Sequence, residues 1–285
     1  MKPGARGIDG VASVLVLLWL SSPAAAQTPK HEGSYLRNIE LCNRMDRASL
    51  DARIDGCTAF IDARQGPTAA LAIAFNNRGN ARIAKEDYDR AIEDFGRSIE
   101  LNPNYPKPFN NRGVAYLKKG QVDLAIKAFD QAIKLNPNYA EAFANRAGSY
   151  LKTREYDRAT RDYDEAIRLA PDLGAAWSGR CWSRAMLGAL QAALEDCDRA
   201  LGAGSSNAAS YDSRGLIHLK MGRLDAAIED YGFALGIEPN LASALYGRGL
   251  ARLKQGDKAG GEADIAAAET IQPGIGDDFT SYGVR

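Results

Sequence analysis

Phe75-Asn76-Asn77-Arg78-Gly79, Phe109-Asn110-Asn111-Arg112-Gly113 and Phe143-Ala144-Asn145-Arg146-Ala147 are three versions of one pentapeptide, each 34 residues after the last. Arg180, Arg214 and Arg248 carry the arginine onward at the same spacing without an insertion. The next residue is always small: Gly79, Gly113, Ala147, Cys181, Gly215 and Gly249. A fixed period of this length means one supersecondary unit stacked on copies of itself. Within the unit that contains Phe109, apolar and small residues at Phe109, Gly113 and Tyr116 recur at three- and four-residue intervals, the period of one helical face. Lys119-Gly120 breaks the pattern, Ala125, Phe129 and Ala132 rebuild it, and Asn136-Pro137 ends it. Proline lacks an amide hydrogen and restricts the residue before it, so Pro103, Pro137, Pro171, Pro239 and Pro273 separate the units. Asp89, Asp123, Asp157 and Asp225 each open a second helix, where a carboxylate favours the positive end of the helix dipole.

An aromatic, a small residue, an aromatic, then Ala, an aromatic, Ala and Pro at fixed offsets resemble the tetratricopeptide repeat, or TPR, over residues 72–275. The resemblance implies an all-α solenoid, a right-handed superhelix of helix-turn-helix hairpins. Its six units are 72–105, 106–139, 140–173, 174–207, 208–241 and 242–275. Ala91, Ala125, Ala159, Ala193 and Ala227 let paired helices approach, and Phe95, Phe129, Tyr163 and Tyr231 fill the seam. The fourth unit departs most, with Cys181 and Cys197 at its small and aromatic positions and Gly202-Ala-Gly-Ser-Ser in place of the Pro stop. The sixth has Gly261 and Ile265 where Ala and an aromatic are usual. Stacked units need terminal caps. An N-terminal helical cap is expected over 35–71, with helices from Tyr35 to Ala48 and Leu50 to Arg64. At the other end, 276–285 is a short tail or cap in which Phe279 and Tyr282 are the apolar anchors.

The N-terminus reads as an address. Lys2 and Arg6 precede a mostly apolar run, Val11 to Leu20 (VASVLVLLWL), and Ala24-Ala25-Ala26 supplies the small residues of a cleavage site. Residues 1–26 are expected to be a signal peptide cleaved after Ala26, and 27–34 a flexible mature N-terminus. The apolar run is about half of the ~20 residues that span a bilayer, so no stable membrane insertion is expected. The mature chain is then periplasmic or secreted, and its cysteines Cys42, Cys57, Cys181 and Cys197 reach an oxidising compartment. Residues far apart in a one-dimensional stack are far apart in space, whereas a disulfide needs Cα atoms within about 7 Å. That leaves Cys42 with Cys57 and Cys181 with Cys197.

Charge and chemistry narrow the function class. Lys plus Arg and Asp plus Glu are both 36; removing Lys2, Arg6 and Asp9 with the leader leaves 34 against 35. Without a basic excess the chain is not read as a nucleic-acid binder. Catalytic supply is poor, with His31 in the N-terminal tail and His218 in the place that Tyr116 and Tyr150 fill as packing residues. No catalytic residue, cofactor or metal site is expected.

In TPR arrays the first helices line a concave groove, and the resemblance places Asn76, Asn77, Asn80, Asn110, Asn111 and Asn145 on or near it. A carboxamide both donates and accepts, which suits an extended peptide backbone. Lys118, Lys152, Lys220 and Lys254, each six after the arginine of its unit, would add a positive edge. A carboxylate clamp of the kind some TPR arrays carry fits only in part: it wants Lys where Asn76 sits and Lys and Arg where Glu141 and Asn145 sit, and only Asn80 and Asn111 match. The column Arg78, Arg112, Arg146, Arg180, Arg214 and Arg248 reads either as an anion ladder or as structural ion pairs with Asp94, Asp130, Asp162, Asp196, Asp230 and Asp264. The function expected is a non-catalytic protein–protein interaction scaffold of the cell envelope that binds a peptide segment or protein surface. The alternatives are a self-assembling structural component, and an accessory subunit of an envelope enzyme.

Overall fold

The computed structural model describes residues 30–43, 49–64, 66–204 and 207–284; the expected leader and cleavage site lie outside them. Among the described residues the elements are all helical. Helices α1 (Lys30–Asn43) and α2 (Leu50–Ala63) form the first hairpin. Six more follow: α3 (Thr68–Ala84) with α4 (Tyr88–Leu101), α5 (Pro106–Lys118) with α6 (Val122–Leu135), α7 (Ala140–Lys152) with α8 (Tyr156–Leu169), α9 (Gly174–Met186) with α10 (Leu190–Gly202), α11 (Ala208–Lys220) with α12 (Leu224–Ile237), and α13 (Ala242–Gln255) with α14 (Lys258–Ile271). A short α15 (Ile275–Ser281) ends the array.

Two helix starts near the N-terminal end differ from the sequence expectation. Helix α1 begins at Lys30, inside the stretch read as flexible, because no proline interrupts the chain from Lys30 to Asn43. Its expected end at Ala48 falls outside the described residues. Helix α3 begins at Thr68, four residues before the first unit boundary, with Pro67 at its N-cap and no breaker between.

The seam inside each hairpin follows from a close approach. A Cβ on Gly79 would lie 2.6 Å from the Phe95 ring, and one on Gly113 would lie 2.5 Å from the Phe129 ring. The aromatic therefore lies against bare backbone, and Phe95, Phe129 and Tyr231 are fully buried. In the fourth unit the same two positions are Cys181 and Cys197, joined as a disulfide with Cα atoms 5.3 Å apart. A covalent staple takes the place of the small-residue and aromatic contact. Cys42 and Cys57 likewise join α1 to α2.

From α1 to α14 each helix packs on its chain neighbours, and each first helix also packs on the first helix of the next unit. The second helices splay apart. An array built so curls with α1, α3, α5, α7, α9, α11 and α13 as its inner layer, which places their shared face in the groove. Helix α15 extends that layer by packing on α13. The tail is better anchored than Phe279 and Tyr282 alone would make it, since Ile275 and Val284 are buried as well.

Candidate functional site

The asparagines of the inner layer hydrogen-bond to one another in a continuous chain. Asn145 Nδ2 donates to Asn110 Oδ1 at 2.9 Å, Asn110 to Asn111 at 3.2 Å, Asn111 to Asn76 at 2.9 Å, and Asn76 to Asn77 at 3.4 Å. Asn77 closes the run by donating to Asn43 Oδ1 at 3.1 Å and to the Cys42 carbonyl at 3.4 Å. The chain links α7, α5, α3 and α1, so its first role is to fasten neighbouring units. Asn76 and Asn110 are buried at 3% and 5% exposure, while Asn77, Asn111 and Asn145 are half-buried. Each carboxamide has more donor and acceptor sites than the chain uses. Asn80 is half-buried and makes no hydrogen bond among the described residues.

The run stops at Asn145 for a steric reason. The equivalent residues in the fourth and sixth units are Gly179 and Gly247, where a Cβ would lie 2.1 Å from Tyr163 Cζ and 2.2 Å from Tyr231 Cζ. Where the preceding seam aromatic is Phe95 or Phe129, the next unit carries Asn111 or Asn145. Where it is Tyr163 or Tyr231, the phenol tip takes that space and the next unit has Gly.

The lysines do not act as one set. Lys118 and Lys152 are exposed on α5 and α7, and Lys254 is exposed near the end of α13. Lys220 is half-buried, and its Nζ donates to the carbonyls of Ala185 at 3.0 Å and Tyr282 at 2.7 Å. Burial lowers the pKa of its ammonium. It is a tie between the tail and the array, not a free groove edge.

Five of the six arginines in the column pair with the aspartate 16 residues on: Arg78 with Asp94, Arg146 with Asp162, Arg180 with Asp196, Arg214 with Asp230, and Arg248 with Asp264. Arg82, Arg184 and Arg252 add a second guanidinium to Asp94, Asp196 and Asp264. Burial still pushes the Asp94 carboxyl up, against the pull of Arg78 and Arg82. The second unit breaks the rule. Residue 128 is Ala, and Asp130, the expected partner of Arg112, instead accepts from Arg146 Nη1 of the next unit at 2.6 Å. Asp164 and Asp198 bridge forward to Arg180 and Arg214 in the same way. Among the described residues no carboxylate pairs with Arg112; its guanidinium lies 5.6 Å over the Phe109 ring, and its Nε is buried without a hydrogen-bond partner.

His218 packs against Asp230, with Nε2 3.6 Å from Oδ2, and burial lowers its pKa against the pull of the Asp230 carboxylate. Among the described residues no group of His, Cys, Asp or Glu is placed to hold a metal ion. No described helix is long and apolar enough to cross a membrane. One feature that no sequence signal pointed to is an apolar hollow of about 290 Å³ between α1, α2 and α3, lined by Ile39, Cys42, Phe60, Ala70 and Ile73.

Comparison with known proteins agrees with this geometry. The family Tetratricopeptide repeat matches residues 106–139 and 144–208, and the family TPR repeat matches 79–120 and 215–256. Among curated proteins there is no match. Among solved structures, a tetratricopeptide repeat protein from Parabacteroides merdae is 18% identical, with a TM-score of 0.63 over 88% of this chain and 98% of that one. PilW, a type IV pilus biogenesis factor, is 16% identical, with a TM-score of 0.64 over 72% and 94%. YrrB, a TPR protein with an unusual peptide-binding site, is 20% identical, with a TM-score of 0.52 over 68% and 100%. At these identities the likeness is one of fold. With the 34-residue period, the small-residue and aromatic seam and the stacked hairpins, the chain is a member of the tetratricopeptide repeat family.

Proposed function

We propose that this chain is a non-catalytic adaptor of the cell envelope that holds an extended peptide segment or a protein surface on the inner face of its first three units. The observation that carries the reading is the unequal use of polar groups there. Asn77, Asn111 and Asn145 are oriented by their mutual hydrogen bonds yet keep spare amide sites, and beside them Asn80, Lys118 and Lys152 stabilise no other described part of the array. Amides fixed before binding lose little entropy when a backbone engages them. YrrB, of the same fold, is a peptide binder by its description. Two disulfides accord with an oxidising compartment, as does the leader-like sequence of residues 1–26.

The test is affinity capture from an envelope extract with the oxidised mature chain as bait, alongside the triple variant Asn80→Ala, Lys118→Ala, Lys152→Ala. These three side chains can be removed without touching the hydrogen-bonded chain, so the variant should keep its helix content. A partner held by the native chain and lost by the variant supports the reading. Equal capture by both moves binding to another surface.

A further inference from the structure

Helix α15 begins where a seventh first helix would, and after it the chain turns back along the array. Phe279 packs against Tyr246 of α13, ring centroids 4.8 Å apart. The Tyr282 carbonyl accepts from Lys220 of α11 at 2.7 Å, and its ring meets Trp182 of α9 edge-on at 5.2 Å. Ile275, Phe279 and Val284, at 1%, 3% and 6% exposure, share one apolar cluster with Leu216 and Leu219 of α11. Ten residues thus cross three successive first helices, which is the inner layer of the fourth, fifth and sixth units.

The floor beneath them is suited to that cover. The residues equivalent to Asn80 are Val114 and Gly148 in the second and third units and the large apolar Trp182, Leu216 and Leu250 in the three units that the tail crosses. Gly276 permits the close approach: a Cβ there would stand 2.8 Å from the Tyr246 hydroxyl. A helix as short as α15 is not stable alone, and a segment held by a few side chains opens more readily than the stacked hairpins.

We propose that residues 275–284 are a built-in occupant of the C-terminal half of the groove, and that this half is a docking surface for a segment of the same chemistry. Such a ligand carries aliphatic and aromatic anchors in the order of Ile275, Phe279, Tyr282 and Val284, with a backbone carbonyl for Lys220. The client of the adaptor that carries such a segment displaces the tail. The inference rests on the groove reading above, but its test needs no client.

The probe is a fluorescein-labelled peptide of residues 274–285, followed by anisotropy. It is added to the native mature chain and to a chain ending at Pro273. The expected result is micromolar binding to the shortened chain, at least ten-fold weaker binding to the native chain, and loss of affinity when the peptide carries Tyr282→Ala. Should the shortened chain lose its helical circular dichroism, the full-length variant Phe279→Ser, Tyr282→Ser serves in its place. Equal binding to both chains, or none to a folded receptor, overturns the proposal. Such a failure leaves the capture result on the first three units unaffected.

Discussion

Ala128→Asp should stabilise this protein, although it places a new charge in a site that is 3% exposed. Every other unit has aspartate at this position, accepting a bidentate pair from its column arginine. The third unit is the nearest template, because Tyr150 there occupies the place of Tyr116 and leaves room for Asp162. The guanidinium of Arg112 is already half-buried with its Nε unsatisfied, so its desolvation is a cost the native chain carries. A hydrogen-bonded ionic pair contributes about 1.5–3 kcal/mol. Against this stand the burial of the new carboxylate and about 0.6 kcal/mol of helix propensity for Ala→Asp. A net gain of about 1–2 kcal/mol remains, a rise in Tm of about 2–8 °C for an array of this size. The assay is thermal unfolding followed by circular dichroism, repeated with Arg112→Ala as background. A fall in Tm, or the same shift in both backgrounds, would refute the pairing argument.

Other substitutions probe the remaining contacts. Gly179→Ala forces a methyl onto the Tyr163 ring and should cost about 1–3 kcal/mol in a urea melt, and Tyr163→Phe should recover part of it if the phenol tip is the obstacle. Asn111→Ala strands the buried amides of Asn76 and Asn110 and should cost about 2–3 kcal/mol, whereas Asn80→Ala should change the melt by less than about 0.5 kcal/mol; equal effects would deny the asparagine chain a structural role. Burial lifts the Asp212 carboxyl to about 6, with the Ser243 hydroxyl pulling the other way. The folded chain then keeps a proton that the unfolded chain releases near pH 4, so stability falls as pH rises from about 4 to 6, by at most about 3 kcal/mol. Asp212→Asn should flatten that slope, and a stability gap between the two proteins that is the same at pH 4 and pH 7.5 would count against it. Cys42→Ala with Cys57→Ala opens a short loop and should loosen the α1–α2 hairpin by about 3 kcal/mol, read as faster amide exchange there than in α5 and α6.

The period, the hairpins and the seam were legible because each depends on residues a fixed distance apart in sequence, as Gly79 and Phe95 are. Both disulfides were legible for the same reason. The misassignment of Asp130 shows where that logic needs care. In this hairpin, positions 16 apart meet across the turn, and Asp130 stands 18 after Arg112 but 16 before Arg146. Counting spacings in both directions would have found the bridge to the next unit. The asparagines were visible as a recurring set on the first helices, but their mutual bonds were not, since side-chain valence is assigned only when three helices are brought together. The return of the tail was out of reach: Lys220 and Tyr282 are 62 residues apart, and nearest-neighbour stacking gives no reason for them to meet.

The alternation of Phe with Asn and Tyr with Gly across unit boundaries bears on how such an array can be rearranged. A copy of the second unit inserted after the third would bring Asn111 to the tip of Tyr163, where not even a methyl group fits. Inserted after the first, the same copy would meet Phe95 and keep the asparagine chain unbroken. The interchangeable part of this protein is therefore the junction, the second helix of one unit with the first helix of the next. Shuffling or duplication that respects only the 34-residue period would produce chains whose units are each sound and whose joints do not close.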